Sequence, residues 1–288
     1  MILKLLLFTY ISSFGFQHLF LPYSPYEDIM LKDEPYFIFE KNFFEYKRKN
    51  LLDFLERKSY INFNYLKWIA GSKINKISIY YESLKLILTF KFFDYGKFEF
   101  YEFPSEEPLL TYNPFGISLG LTKSFFFSKN FPFFISLFYN EEKFLNSNAE
   151  NFTLNFNLFI NILKNPKIEI SLNNLGTKPT YSDEYIRIPT YSDVKIINYS
   201  KKFDLEVNIT YRRGLWGNKN FYNGYHLSLE KDFKNFIKLF LGIGKKDDIS
   251  NFGAGFELKI KKFLNFVYSY RPSDKFEDIN SFGLKINF

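Results

Sequence analysis

The 288 residues include no cysteine, 2 methionines, 2 tryptophans and 2 histidines. Without thiols the chain has no disulfide framework, no thiolate metal site, no cysteine nucleophile and no lipid-modified cysteine anchor. With two histidines and no cysteine, a zinc centre lacks ligands. The acidic pair Asp247-Asp248 reads as a solvated turn, since a calcium cage takes six to eight oxygens. No cofactor or metal is therefore expected. Also missing, beyond the first sixteen residues, is any run of about eighteen uncharged apolar residues, so helical membrane spans are excluded. The net charge of +7 is scattered as single lysines among apolar residues. A nucleic-acid surface would gather such charge into a stripe, so no nucleic-acid partner is expected.

What the chain has in excess is aromatic: 40 phenylalanines and 22 tyrosines. That bias suits strands and membrane interfaces more than a helical core. Mean hydropathy is nevertheless slightly negative, at -0.20. A wall of strands that turns apolar side chains one way and polar ones the other averages out like this.

Residues 1–16 carry Lys4, an apolar stretch from Leu5 to Ile11, and then Ser12, Ser13 and Gly15. This pattern predicts a secretory signal peptide. The stretch 17–70 is irregular, broken by Pro22, Pro25 and Pro35, with a candidate amphipathic helix over 42–58 on which Phe44, Leu51 and Leu55 share a face. It reads as a plug or a segment at the periplasmic mouth, although a surface helix packed elsewhere fits the same periodicity.

After Trp68 the period becomes two. In Phe203, Leu205, Val207, Ile209 and Tyr211 apolar residues alternate with Asp204, Glu206, Asn208, Thr210 and Arg212. Successive strand side chains point to opposite faces, so one face is continuous hydrocarbon and the other carries ionised groups. The same alternation marks 225–230, 237–243, 252–260, 264–271 and 281–288. Earlier candidates are 75–82, 84–93, 96–103, 114–127, 131–142, 150–163, 166–174 and 191–199, giving fourteen strands in all. Many run to about 9–11 residues, the length a tilted strand needs to cross a bilayer. Turn chemistry separates them at Asn165-Pro166, at Asn173 to Gly176, at Lys245 to Asp248 and at Pro272 to Asp274.

A soluble β-sandwich also alternates. Here, however, the strands are long, nearly all have a full apolar face, and no helical layer exists to cover the edges of an open sheet. The expected fold is all-β: a closed antiparallel transmembrane β-barrel of about fourteen strands over 71–288, preceded by a short N-terminal segment containing a helix. The closing residues Phe282, Leu284, Ile286 and Phe288 fit a terminal strand of the kind read by outer-membrane insertion machinery, which is then an assembly signal. The expected location is the outer membrane of a diderm bacterium, among lipid and lipopolysaccharide.

Several short motifs are suggestive together: Asn174-Leu175-Gly176 closing a strand, Ile188-Pro189 leading into the next, Tyr268-Ser269-Tyr270-Arg271-Pro272, and terminal Phe288. From about Tyr65 onward the chain resembles the PorV/PorQ family, a branch of the FadL-like outer-membrane barrels. The resemblance implies a fourteen-stranded barrel that either serves a secretion apparatus as partner of exported cargo or moves hydrophobic small molecules. It does not choose between secretion subunits and hydrophobic molecules as partners.

Residues expected to line the lumen are Glu206, Arg212, His226, Glu230, Lys238, Glu257, Lys259, Arg271 and Lys285, of both signs, and pairing across the interior is the preferred reading over an open channel. The one catalytic candidate is the pair His226 and Ser228, two apart on one strand face. This spacing resembles that of outer-membrane phospholipases and lipid A deacylases, but Leu229-Glu230-Lys231 continues the strand where those enzymes turn. No enzyme is expected.

Overall fold

The computed structural model describes residues 59–288, apart from short stretches at 69–70, 102–106, 127–130, 145–146, 162–164, 182–183, 186–187, 217–222, 234–235, 247–248, 262 and 274–277. The expected signal peptide and the helix over 42–58 lie outside the described residues.

Strands β1 (Tyr60–Lys67), β2 (Lys73–Tyr81) and β3 (Leu86–Asp94) open the wall, and β4 (Phe98–Phe100) and β5 (Leu110–Tyr112) form a small hairpin. The wall resumes with β6 (Phe115–Phe126), β7 (Pro132–Phe144), β8 (Ser147–Ile160) and β9 (Lys167–Gly176), followed by a second small hairpin of β10 (Thr180–Tyr181) and β11 (Glu184–Tyr185). Then come β12 (Thr190–Ser200), β13 (Leu205–Trp216), β14 (Gly224–Phe233), β15 (Ile237–Lys246), β16 (Ile249–Lys261), β17 (Leu264–Arg271) and β18 (Ile279–Asn287). Fourteen of these pair antiparallel with their neighbours, and β1 closes the ring on β18, Tyr60 opposite Asn287 through Lys67 opposite Asn280.

The fourteen differ in two members from those read in the sequence. β1 lies inside the stretch 17–70, so the wall begins at Tyr60. Its alternation, Asn62-Phe63-Asn64-Tyr65, is short and follows an irregular segment, which hides it. Conversely, 96–103 is no wall strand. Among its described residues only Phe98–Phe100 is extended, in the hairpin beside Gly96 at φ 85°, and Phe98 and Tyr112 pack their rings edge-on against Phe144 at 6.1 and 5.8 Å.

β2–β3, β12–β13, β14–β15 and β16–β17 are joined by short turns at one rim, where Phe288 N–H also bonds Ser59 O at 2.8 Å. The other rim carries the longest connections, 95–114 and 177–189 with their small hairpins, and also short ones, 145–146 between β7 and β8 and 247–248 between β15 and β16. We refer to the turn rim and the loop rim.

The two faces of the wall follow the period of two. Outward residues are apolar yet exposed, Ile209 at 51% and Leu241 at 45%, while inward neighbours are polar yet buried, Asn208 at 0% and Thr210 at 1%. In water that apolar band is far larger than the patches monomeric proteins expose. Outward aromatic rings stack across strands, among them Tyr211–Tyr225 at 5.0 Å and Tyr268–Phe282 at 5.1 Å.

The ladder is irregular at one place near the loop rim. Leu154 faces Leu175 but Phe156 faces Leu172, so Asn155 opposes both Asn173 and Asn174, a bulge that puts Asn174 at φ 58°. Asn155 Oδ1 accepts from Asn174 N at 2.7 Å. Beyond Asn173, β9 no longer pairs with β12. Side chains bridge the gap: Asn174 Nδ2 donates to Pro189 O at 3.2 Å and Thr190 Oγ1 donates to Asn174 O at 2.9 Å.

Candidate functional site: the barrel interior

The inner face has three layers. At the turn rim Tyr60, Tyr80, Ile87, Phe134, Phe159 and Ile197 form an apolar cluster. At the loop rim Leu66, Ile74, Phe93 and Ile279 form another, with Trp68 and Tyr95 against it. Between them lies a belt of serine, threonine, asparagine and paired charge.

On β6, β7 and β8 the belt is neutral up to Asn140, and the one buried carboxylate of these strands, Glu142 beyond it toward the loop rim, accepts from the Tyr95 hydroxyl. Thr122 Oγ1 donates to Ser136 Oγ at 2.8 Å, and Asn140 Nδ2 donates to Asn151 Oδ1 at 2.9 Å and Thr153 Oγ1 at 3.1 Å. From β9 to β16 it is ionic. Lys195 Nζ meets Glu169 Oε2 at 2.8 Å with both side chains buried, and Asn157 Nδ2 donates to the other oxygen of Glu169 at 3.4 Å. Arg212 grips Asp193 with two parallel bonds, Nε to Oδ1 at 2.7 Å and Nη2 to Oδ2 at 2.8 Å, the fork geometry that suits a carboxylate. Its guanidinium also lies 4.2 Å from the ring centre of Tyr191. Next along the wall, Lys238 pairs with Glu230 at 2.8 Å and Lys259 approaches Asp232 at 3.8 Å.

All nine residues proposed from the sequence to line the lumen occupy inward register positions. Glu206, Glu230 and Glu257 are buried. Asn208 Nδ2 donates to Glu206 Oε1 at 2.8 Å, and Asn265 Nδ2 to Glu257 Oε1 at 2.6 Å. Nearer the rims, Arg271 lies over Trp68 at 5.6 Å and Lys285 over Tyr60 at 4.2 Å. Glu169, Asp193 and Lys195 were not among the nine, although the sequence signal was present: Lys195 alternates with Val194 and Ile196 just as Glu206 does with Leu205 and Val207.

His226 and Ser228 both point inward, but they are not joined as base and nucleophile. Ser228 Oγ receives Asn208 Nδ2 at 3.5 Å, and His226 Nδ1 has no hydrogen-bond partner. Among the described residues no three histidine, aspartate or glutamate side chains converge as metal ligands do.

Inward glycines are not empty space. A Cβ on Gly255 would overlap the ring of Phe240, its cross-strand partner, and one on Gly120 would overlap Phe138. In both places an aromatic ring occupies the space beside a glycine of the adjacent strand.

No family model and no curated protein matches the sequence. Solved structures do match the shape. One named CymD monoaromatic hydrocarbon channel superposes with a TM-score of 0.57 at 8% identity, over 80% of this chain and 88% of its own. The toluene transporter TodX of P. putida gives 0.54 at 8% identity, over 82% and 92%. The likeness is one of fold. The Ralstonia pickettii toluene transporter TbuX agrees, at 0.53 and 9% identity over 80% and 88%. At such identities what is shared is the barrel wall, and the chemistry of the interior has to be read from this chain's own residues.

Proposed function

We propose that this chain spans the outer membrane of a diderm bacterium and acts there as a non-enzymatic barrel of the PorV/PorQ type, an attachment partner for exported cargo. The observation that carries the membrane reading is the inversion of the wall: apolar residues exposed on the outer face of a closed ring, ionised and amide groups buried inside. Closure leaves no free edge and so meets the requirement for a spanning sheet. Cell fractionation with electrophoresis of heated and unheated samples tests this. The expected result is outer-membrane fractionation with a mobility shift on heating, and a soluble protein with no shift overturns it.

The middle belt favours attachment over passage. A hydrophobic molecule crossing the barrel would have to pass the buried Lys195–Glu169 and Arg212–Asp193 pairs, whose polar atoms offer it nothing in exchange for lost apolar contact. A second reading, passage of hydrophobic molecules, is favoured by the apolar clusters at both rims and by the names of the similar structures. Toluene flux into vesicles holding the purified protein separates the two: flux no greater than in empty vesicles supports attachment, and a protein-dependent flux supports passage.

A further inference from the structure

Three hairpin turns along one arc of the turn rim repeat one arrangement. In β12–β13, Lys202 Nζ lies 5.4 Å from the ring centre of Phe203; at the β14–β15 turn, Lys231 lies 5.4 Å from Phe233; at the β16–β17 turn, Lys261 lies 5.7 Å from Phe263. All three rings are exposed, as are Phe236 between them and Phe288 further along the same rim.

Lys231 is the informative member. Its register places it on the outer face, opposite Leu205 on one side and Leu239 on the other. In a hydrocarbon slab an ammonium there must reach polar surroundings, and it does so by leaning toward the turn, over a ring two residues on. This is the snorkelling of a long cationic side chain along apolar surface, with the ring face as an electrostatic partner. The nearby acids are turned to other work. Asp204 accepts from the Tyr199 hydroxyl at 2.8 Å, and Asp232 faces inward toward Lys259.

The charge of the rim agrees. The segments 201–204, 234–236 and 262–263 are each net positive. On the opposite rim the 95–114 connection sets four glutamates against one lysine. We propose that the arc formed by Lys202, Lys231 and Lys261 binds the headgroups of anionic phospholipids, with phosphate oxygens against the ammoniums and acyl chains along Leu205 and Leu239. This rests on the membrane reading. Basic residues held at the surface of an anionic leaflet are attracted to it, and here the aromatic rings hold them at headgroup depth.

The test uses the full chain reconstituted in vesicles of equal parts phosphatidylglycerol and phosphatidylethanolamine, then extracted in mild detergent, with retained lipid counted by native mass spectrometry. The wild type is expected to retain phosphatidylglycerol several-fold over phosphatidylethanolamine. The variant K202Q/K231Q/K261Q is expected to retain both equally while still shifting on heated electrophoresis. Retention in the proportions of the mixture by the wild type, or an unchanged preference in the variant, overturns the proposal. Should the triple variant not fold, extraction of the wild type at about 1 M salt, where the Debye length falls to about 3 Å, is expected to lose the preference, and persistence there overturns it. A wild type that enters neither vesicle type nor shows a heat shift sinks the membrane reading itself, an outcome distinct from insertion without lipid preference.

Discussion

Two arcs of the inner wall, the neutral and the ionic half of the run from β6 to β16, solve one problem differently. On β6 to β8 the buried belt, Glu142 at its loop-rim margin apart, is made of neutral hydroxyls and amides linked by bonds such as Asn140 to Asn151. On β9 to β16 it is made of ion pairs such as Glu169–Lys195 and Asp193–Arg212. Removing one neutral partner strands a dipole, whereas removing one ionic partner strands a charge, and the desolvation of a charge is much the larger quantity. The ionic half should therefore be brittle to single substitutions and forgiving of paired ones, while the neutral half degrades in small steps.

The largest effect is expected from Lys195→Met, which leaves Glu169 buried without its cation. Loss of one partner of such a pair costs about 3–5 kcal/mol, read as a fall in the temperature at which the heat-modified form appears. Adding Glu169→Leu should restore most of it, and a double variant as weak as the single would remove the distinction between the halves. Second in size are the two glycines. Gly255→Ala meets both the Phe240 ring and the carbonyl of Tyr268 at 2.5 Å, while Gly120→Ala meets only the ring of Phe138. A ring can swing aside and a strand carbonyl cannot. We expect Gly255→Ala at the upper end of the roughly 1–3 kcal/mol of overpacking and Gly120→Ala at the lower, by the same melting assay. Equal effects would show that the halves pack alike. In the neutral half, Asn140→Ala loses bonds to Asn151 and Thr153 and should cost about 1–2 kcal/mol.

The smallest effect lies outside both halves, at the loop rim. Asp278 accepts from the Tyr270 hydroxyl at 2.6 Å and from Ser273 N–H at 3.1 Å. The Tyr270 bond first and the Ser273 bond second hold its carboxyl below the ordinary aspartate value. A lowered folded pKa means that the tie is fully present above the unfolded value and lost as pH falls through the folded one. Hydrogen exchange at the Ser273 amide should therefore be slow at neutral pH and lose protection as the pH falls through the lowered carboxyl value.

The faces of the wall were legible in the sequence because the strand period is two and needs no knowledge of neighbours. Glu206, Glu230 and Glu257 could be assigned inward from Val207, Leu229 and Phe256 alone. The count of fourteen was also legible, but through two errors that cancel, the missed β1 and the supposed strand at 96–103. Glu99 alternates with Phe98 and Phe100 as a wall residue would, and only the glycine turn before it and the prolines after it set the hairpin apart. Partners were not legible. Lys195 meets Glu169 across a connection that contains the β10–β11 hairpin, and which residues face each other there depends on loop length and on the bulge at Asn174. No local pattern encodes either.

Closure of β1 on β18 has a kinetic consequence. These two strands come from opposite ends of the described chain, so the pairing that joins Tyr60 to Asn287 is the most non-local in the molecule and bears the largest loop-closure entropy. Until it forms, the fourteen strands make an open sheet whose two margins, β1 and β18, are each able to template another copy. The β1–β18 seam is therefore a latch: assembly is all-or-none at its final step, and an assembly lacking β18 should aggregate through its unlatched margins rather than settle as a smaller ring.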